Sequence, residues 1–235
     1  MDDRTAGYGM LRPTPARPLL GLTVLMVEDS RYACDALRLM AVRSGARIRR
    51  ADCLRSARRH LEVYQPSVAV IDMGLPDGSG AELIAEMAAA QPRVPVLLGI
   101  SGDPFAEGIA LAAGADGFLA KPLESVLAFQ TAVLSNLPPD WRPAGPRPAD
   151  PTRVRPDPLA YRDDILHAAE VLRQAEDADY VARFLAGLAR SAGDTALAET
   201  AARLLDATTR GEETGVIRET LSRMMAERAA VDEMI

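Results

Sequence analysis

The sequence predicts an α/β fold with a five-stranded parallel sheet, followed by a small all-α domain. Between residues 22 and 136, short apolar segments alternate with segments of helical character, a pattern typical of a parallel sheet covered by helices on both faces. Residues 159–235 contain no strand signal, and their apolar residues recur at helical spacing. Eight of the seventeen prolines lie in residues 138–158, which indicates a semi-rigid linker between the two domains.

The first two strands are predicted to flank one helix. Residues 1–20 are rich in Pro, Gly, Arg and Asp, and we interpret them as a flexible N-terminal segment that precedes an α/β domain over 21–137. Residues 22–27 form an apolar run typical of a buried strand. Ser30 is a good helix N-cap, and Gly45 a good stop signal. Residues 46–51 are more polar, as in an edge strand, and a helix follows before the third strand.

The third strand and its loop are the strongest local signal in the chain. Residues 68–71 are apolar and largely β-branched, which predicts a buried strand that ends at Asp72. A loop rich in turn-forming residues follows: Gly74, Pro76, Gly78 and Gly80. Taken alone, Asp72 could simply cap this turn. It could also face a ligand, since open parallel sheets bind ligands at the carboxyl ends of their strands.

The last two strands complete the predicted sheet. After a helix over residues 81–90, an apolar run over 94–100 predicts a strand that ends at Ser101. A short helix leads to a brief strand over 117–120, which ends at Lys121. Proline is favoured in the first turn of a helix, so Pro122 predicts the start of a final helix.

Composition excludes several classes of protein. The net charge of −6 argues against a broad nucleic-acid-binding surface. The two cysteines are too few for a disulfide framework and lack metal-ligand spacing. The N-terminus lacks the apolar core of a signal peptide, and no apolar run is long enough to span a bilayer. We therefore expect a soluble cytoplasmic protein without membrane contacts.

The strand ends predict one polar cleft at the carboxyl edge of the sheet. Glu28, Asp29, Asp72, Ser101 and Lys121 follow or end four of the strands, so their side chains should converge. Three neighbouring carboxylates repel one another unless a cation joins them, and oxygen ligands in a wet site suit Mg²⁺. A lysine and a hydroxyl beside a metal can cradle a phosphoryl group, and a carboxylate can accept it as a nucleophile.

Lys121 stands out because it is the only lysine among 27 basic residues. In a chain that otherwise uses arginine, this indicates a site that requires a compact ammonium on a flexible stem. The alternative explanation is that Lys121 remained a lysine by chance and that the site does not require one.

Four segments resemble the receiver domain of bacterial two-component response regulators over about residues 20–137. They are Val-Leu-Met-Val-Glu-Asp-Ser (24–30), Ile-Asp-Met-Gly-Leu-Pro-Asp-Gly-Ser-Gly (71–80), Ile-Ser-Gly (100–102) and Ala-Gly-Ala-Asp-Gly-Phe-Leu-Ala-Lys-Pro (113–122). The resemblance implies a flavodoxin-like fold with strand order 2-1-3-4-5. It also implies that Asp72 accepts phosphate from a phosphohistidine of a sensor kinase or phosphotransfer protein. We find no cluster of catalytic residues in the C-terminal region and therefore expect no separate enzymatic activity.

The resemblance also assigns roles at the site by position. It implies that Asp29, Asp72 and the backbone carbonyl of Gly74 ligate Mg²⁺, and that Glu28 acts through a metal-bound water. It further implies the following roles: Ser101 as the switch hydroxyl, Phe118 as the switch aromatic and Lys121 as the partner of the phosphoryl oxygens.

The helical region 159–235 is predicted to be an interaction or dimerisation module. From residue 162 to 233 it has nine arginines, no lysine and fifteen acidic residues, which gives a net charge of −6. A DNA-binding output domain needs a basic face, so a transcriptional regulator is the less favoured alternative. His167 leaves a phosphotransfer-like domain as a further alternative. We expect a protein partner or self-association, and no nucleic acid.

Overall fold

Five parallel strands form a sheet in the predicted order, 2-1-3-4-5 along the chain. The computed structural model describes residues 12–146, 148–174 and 178–230. The strands are β1 (Thr23–Val27), β2 (Arg47–Ala51), β3 (Val68–Asp72), β4 (Val96–Ser101) and β5 (Gly117–Ala120). β3 lies at the centre, and all five of its residues are buried.

Five helices connect and follow the strands: α1 (Arg31–Arg43), α2 (Leu54–Val63), α3 (Gly80–Ala89), α4 (Ala106–Ala112) and α5 (Val126–Asn136). Ser30 caps α1 as predicted, since its side chain accepts a hydrogen bond from the Ala33 amide. Pro122 does not start α5. Ser125 caps that helix instead by accepting a hydrogen bond from the Ala128 amide, a stronger start signal than a proline in the preceding loop.

The sheet buries a core on each face. Successive residues of a strand point to opposite faces, and β1 shows this directly. Val24 and Met26 pack with α1 and α5, whereas Leu25 and Val27 pack with α2 and α3. Both faces are therefore covered, which explains why the strands are apolar runs without alternation.

The C-terminal region is all helical, as predicted, and consists of α6 (Pro158–Gln174), α7 (Ala178–Ala192), α8 (Thr195–Thr209) and α9 (Gly215–Ala230). Apolar stripes from the four helices meet in one core. Asp194 joins three of the helices. It caps α8 through the Leu197 amide, accepts a hydrogen bond from Tyr161 of α6 at 3.0 Å, and pairs with Arg228 of α9.

The proline-rich segment lies along the α/β domain. The Val126 amide donates to the Thr152 carbonyl, and the Val154 amide donates to the Glu124 carbonyl at 2.8 Å. Val154 is itself buried in the α1–α5 core. The segment thereby connects to α6 at the face of the α/β domain where α1 begins.

Residues 12–20 precede β1. The flexible N-terminal segment predicted over 1–20 lies partly outside the described residues, which begin at residue 12. Within 12–20, Leu19 is fully buried, and its amide donates to the Ser44 carbonyl. In the described part of the chain, no helix is both long and apolar enough to cross a membrane.

Candidate functional site

The carboxyl edge of the sheet brings the predicted acidic residues together. Glu28 and Asp29 follow β1, and Asp72 is the last residue of the central strand β3. One carboxylate oxygen of each residue lies within 4.8 Å of the others. Glu28 and Asp72 are buried, and Asp29 is partly exposed. The predicted convergence of the three carboxylates is therefore present.

Lys121 reaches the same cluster from the end of β5. Its ammonium lies 2.7 Å from Glu28 Oε2 and 3.2 Å from Asp72 Oδ1. The lysine side chain is only 5% exposed, so the two ion pairs are shielded from water. The stem of the lysine thus passes through a narrow space to place one positive charge between two carboxylates.

Burial controls the protonation of the cluster. It raises the pKa of Asp72 to about 7 and that of Glu28 to about 7, although Lys121 acts against both shifts. Burial, together with the neighbouring charge of Asp72, raises the pKa of Asp29 to about 6. Burial alone would lower the pKa of Lys121, but the carboxylates outweigh it and the net direction is upward. The ammonium therefore stays charged near neutral pH, while the carboxyl groups share fewer than three negative charges.

The donor set fits a divalent cation. When ionised, three carboxylates and one ammonium leave a net charge of −2, which a divalent ion neutralises. All the candidate ligand atoms are hard oxygen donors, and Mg²⁺ is usually held by one or two carboxylates together with water. Among the described residues this is the group of acidic side chains that could hold a metal ion.

The other predicted site residues surround the cluster without contacting it in the described hydrogen bonds. Ser101 ends β4, and its Oγ accepts a hydrogen bond from the Asp103 amide at 3.1 Å. Phe118 is partly buried in β5 and packs beside Gly99, where an added Cβ would lie 3.1 Å from its ring. Gly74 pairs with Ser79 in a short hairpin next to Asp72. The switch roles and the carbonyl ligand stay predictions.

Sequence reasoning missed two residues of the helical domain that lie at the cleft. The Tyr180 hydroxyl of α7 donates a hydrogen bond to Asp29 Oδ2 at 2.9 Å. The carboxylate of Asp164 in α6 is 3% exposed and accepts three hydrogen bonds at the start of α1. One sequence signal was present, because Asp164 falls on the apolar stripe of α6 that includes Ile165 and Ala168.

A cleft of about 940 Å³ lies between the helical domain and the α/β domain. Its lining includes Asp29, Arg50, Asp77, His167 and Tyr180. Both acidic and basic side chains line the cleft, so it has no single sign of charge. His167 is exposed, and its ring packs edge-on against Phe184.

Comparison with known protein families assigns the α/β domain. Residues 24–130 match the model of the response regulator receiver domain. The virulence transcriptional regulatory protein PhoP of Salmonella typhimurium is 30% identical over 116 residues, which are 48% of this chain and 52% of the relative. The transcriptional regulatory protein PhoP of Escherichia coli O157:H7 is 28% identical over 116 residues, again 48% of this chain and 52% of the relative. The chain spans about half the length of these relatives.

Solved structures match a similar share of the chain. A putative response regulator from Chloroflexus aurantiacus has 25% identity and a TM-score of 0.43, over 48% of this chain and 92% of that one. The receiver domain of a sensor histidine kinase from Pseudomonas aeruginosa, with magnesium in its active-site cleft, has 23% identity and a TM-score of 0.45. It covers 49% of this chain and 96% of that one. Both matches lie within about half of this chain.

Proposed function

Because residues 24–130 form a response regulator receiver domain, we propose that this protein is a phosphorelay response regulator. Asp72 accepts a phosphoryl group from a phosphohistidine of a sensor kinase or phosphotransfer protein. The observation that carries the proposal is the ion pair of Asp72 with Lys121 inside a cluster of three carboxylates at the edge of the sheet.

The transfer uses Asp72 as the nucleophile. A carboxylate oxygen of Asp72 forms a bond to phosphorus while the bond from phosphorus to the imidazole nitrogen breaks. The imidazole ring leaves with the electron pair of that bond, and its other nitrogen takes up a proton from solvent, so that the ring leaves as neutral imidazole. Asp29, Asp72 and the Gly74 carbonyl would hold Mg²⁺, with Glu28 acting through a water, and the ion would supply positive charge to the phosphoryl oxygens.

Lys121 and Ser101 act on the transferred group in this proposal. The ammonium already lies 3.2 Å from Asp72 Oδ1, so it can turn to a phosphoryl oxygen with little movement. Fixed positive charge at this position stabilises the charge that develops on the phosphoryl group. Ser101 Oγ accepts a hydrogen bond from the Asp103 amide, which leaves its own hydroxyl proton available for donation to the phosphoryl group.

The helical domain is the output of the proposed switch. We expect its partner to be a protein or a second copy of this chain, since its net charge is negative and nucleic acid would be repelled. The relatives named PhoP are transcriptional regulators, but the similarity covers only 116 residues, about half of this chain and about half of each relative. A DNA-binding output is therefore the alternative to be tested. A cytoplasmic location and the lack of a separate enzymatic activity belong to the same proposal.

The proposal is tested by phosphorylation of the full-length protein. With Mg²⁺ and acetyl phosphate, the intact mass should rise by one phosphoryl group, and Asp72→Asn should abolish the rise. Asp206→Asn, which changes an exposed carboxylate of α8, is the matched control and should react like the wild type. Equal uptake by Asp72→Asn would contradict the assignment.

Whether the helical domain binds DNA is tested separately on the same preparations. Phosphorylated and unphosphorylated protein should pass through a column of immobilised mixed-sequence DNA at moderate salt without retention. Retention that weakens steeply with added salt would instead favour the DNA-binding alternative.

A further inference from the structure

The helical domain contributes a side chain to the acidic cluster. Tyr180 lies near the start of α7, and its hydroxyl donates a hydrogen bond to Asp29 Oδ2 at 2.9 Å. Asp29 is one of the three carboxylates whose oxygens lie within 4.8 Å of one another. A residue that is 151 positions away in the sequence therefore contacts a predicted magnesium ligand directly.

Of the three carboxylates, Asp29 is the one that Lys121 does not pair with in the described part of the chain. The ammonium pairs with Glu28 and Asp72 instead. Asp29 also forms a hydrogen bond with Glu28, but that bond needs a proton between the two carboxyl groups. Metal ligands bind in their ionised form. The Tyr180 hydroxyl can still hold Asp29 in that form, because a tyrosine is a hydrogen-bond donor at neutral pH.

The backbone directly after Asp29 is held by the same domain. Asp164 of α6 is 3% exposed, and its Oδ2 accepts a hydrogen bond from Ser30 Oγ at 2.8 Å. The amides of Arg31 and Tyr32 each donate to this carboxylate at 3.0 Å. The first amides of a helix have no partner within the helix, so Asp164 supplies the acceptor that they lack. The helical domain thus fixes both the side chain of Asp29 and the chain that follows it.

Tyr180 is itself held in a defined position. Its ring packs against Phe184, one turn later in α7, with 5.9 Å between the ring centroids, and against the apolar core of the helical bundle. Farther along, α7 lies beside the hairpin that begins at Gly74. Arg190 packs against Gly102, where an added Cβ would lie 3.0 Å from the arginine Cδ. The helix that carries the hydroxyl therefore meets the α/β domain at three points.

The orientation of a carboxylate matters at a magnesium site. Mg²⁺ requires near-ideal octahedral geometry, so each ligand must present its oxygen in a fixed direction. A carboxylate can accept a hydrogen bond at one oxygen and bind an ion with the other. Hydrogen bonds to ligating carboxylates fix their orientation, and the loss of such a partner typically lowers metal affinity by about 10–100-fold.

We propose that Tyr180 is a positioning residue of the magnesium site, through which the helical domain holds Asp29 in the orientation that binds the ion. This role rests on the proposed function, since it takes Asp29 as a magnesium ligand. The site then has its full magnesium affinity only when α7 is in place. A part of the phosphorylation site thus comes from outside residues 24–130, which match the receiver family.

Calorimetric titration of the full-length protein with MgCl₂ tests this role. Tyr180→Phe removes the hydroxyl and keeps the ring that packs against Phe184, and its Kd for Mg²⁺ should be about tenfold higher than that of the wild type. Tyr161→Phe is the matched control. It removes a tyrosine–carboxylate hydrogen bond to Asp194 inside the helical bundle and should bind Mg²⁺ like the wild type. An equal or lower Kd in Tyr180→Phe would overturn the proposal.

The Mg²⁺ dependence of phosphoryl uptake separates positioning from general damage to the cleft. With acetyl phosphate as the donor, the Mg²⁺ concentration that gives half the maximal uptake rate should rise in Tyr180→Phe by the same factor as the Kd. The rate at saturating Mg²⁺ should stay close to that of the wild type, because the lost interaction serves binding of the ion. A lower rate at every Mg²⁺ concentration would assign Tyr180 a structural role and contradict the proposal.

Hydrogen exchange at the Arg31 and Tyr32 amides shows whether the helical domain stays docked. In Tyr180→Phe these amides should keep their protection, because Asp164 still accepts from both. Loss of that protection together with weaker Mg²⁺ binding would assign the effect to undocking and overturn the direct role of the hydroxyl. If the wild type takes up no phosphate but the predicted difference in Mg²⁺ affinity is present, the proposed function fails and the positioning role stands.

Discussion

Replacement of Asp72 by asparagine is expected to stabilise the protein in a buffer that contains a metal chelator. The wild-type cluster holds three carboxylates and only one ammonium. Asparagine has nearly the same shape and carries no charge, so it relieves repulsion without opening a cavity. Lys121 keeps its closer partner, Glu28 Oε2, at 2.7 Å. The predicted phosphoacceptor is thus a residue that the protein keeps at a cost to its own stability.

The size of the effect follows from the shift in protonation. Burial raises the pKa of Asp72 from 3.8 to about 7. Each pKa unit corresponds to about 1.4 kcal/mol, so the shift represents an upper bound of about 4 kcal/mol at neutral pH. This shift already includes the attraction to Lys121, and the cost of burying the asparagine amide without full hydrogen bonding subtracts from the bound. We therefore expect a gain in the free energy of unfolding of about 1–3 kcal/mol, or a Tm higher by about 3–10 °C.

The pH dependence has a definite sign. Because the folded pKa of Asp72 is raised, the folded state binds more protons than the unfolded state between pH 3.8 and about 7. Unfolding then releases protons, and the free energy of unfolding falls as the pH rises through this range. The free energy of unfolding should fall less steeply with pH in Asp72→Asn than in the wild type.

The assay is urea or thermal unfolding of both proteins in EDTA and again in Mg²⁺. A ligand at ten times its Kd stabilises the folded state by about 1.4 kcal/mol, so Mg²⁺ should narrow or reverse the difference. Asp150→Asn is the control, since Arg43 lowers the pKa of this exposed carboxyl group and its loss should slightly destabilise the protein. A lower stability of Asp72→Asn in EDTA would refute the electrostatic reasoning.

Substitutions at three further positions, together with one control, have expected outcomes that unfolding curves and phosphoryl uptake can check. Lys121→Ala leaves two buried carboxylates unpaired and should lower the free energy of unfolding by about 3–5 kcal/mol. Lys121→Arg should preserve the charge but slow phosphoryl uptake, because the larger guanidinium does not fit the space of a lysine side chain that is only 5% exposed. Gly80→Ala places a Cβ 2.0 Å from the backbone oxygen of Asp72 and should lower the free energy of unfolding by about 3 kcal/mol. Gly108→Ala, where a Cβ meets nothing within 4 Å, is its control. Asp194→Asn should lower the free energy of unfolding by about 1–3 kcal/mol. The hydrogen bond with Arg228 lowers the pKa of Asp194 below 3.8. The wild type should therefore be more stable than the variant by the full amount above pH 3.8, and this difference should disappear as the pH falls through the folded pKa.

The sheet and the acidic cluster could be predicted because their signals are local. An apolar run that ends in a carboxylate, such as the one at Asp72, marks both a buried strand and its carboxyl end. Strand order then places the carboxylates of β1 and β3 side by side. The same local reasoning put the start of α5 at Pro122, where two competing start signals lay three residues apart and Ser125 was the one used.

The contacts of α6 and α7 with the cleft could not be predicted because they depend on how two domains dock. Asp164 lies 134 residues after Ser30, and Tyr180 lies 151 residues after Asp29. No motif links such distant positions, and their hydrogen bonds form only after both domains have folded. The proline-rich segment predicted a spacer between domains. Its backbone bonds to the loop before α5 are what bring the helices to the cleft.

The most direct test of the central claim is to identify the phosphorylated residue. After reaction of the full-length protein with acetyl phosphate and Mg²⁺, borohydride reduces an aspartyl phosphate to homoserine, which peptide sequencing can locate. The proposal predicts homoserine at position 72 and nowhere else, with none formed in EDTA. Homoserine at position 29, or an unmodified residue at position 72 in protein that carries phosphate, would contradict it.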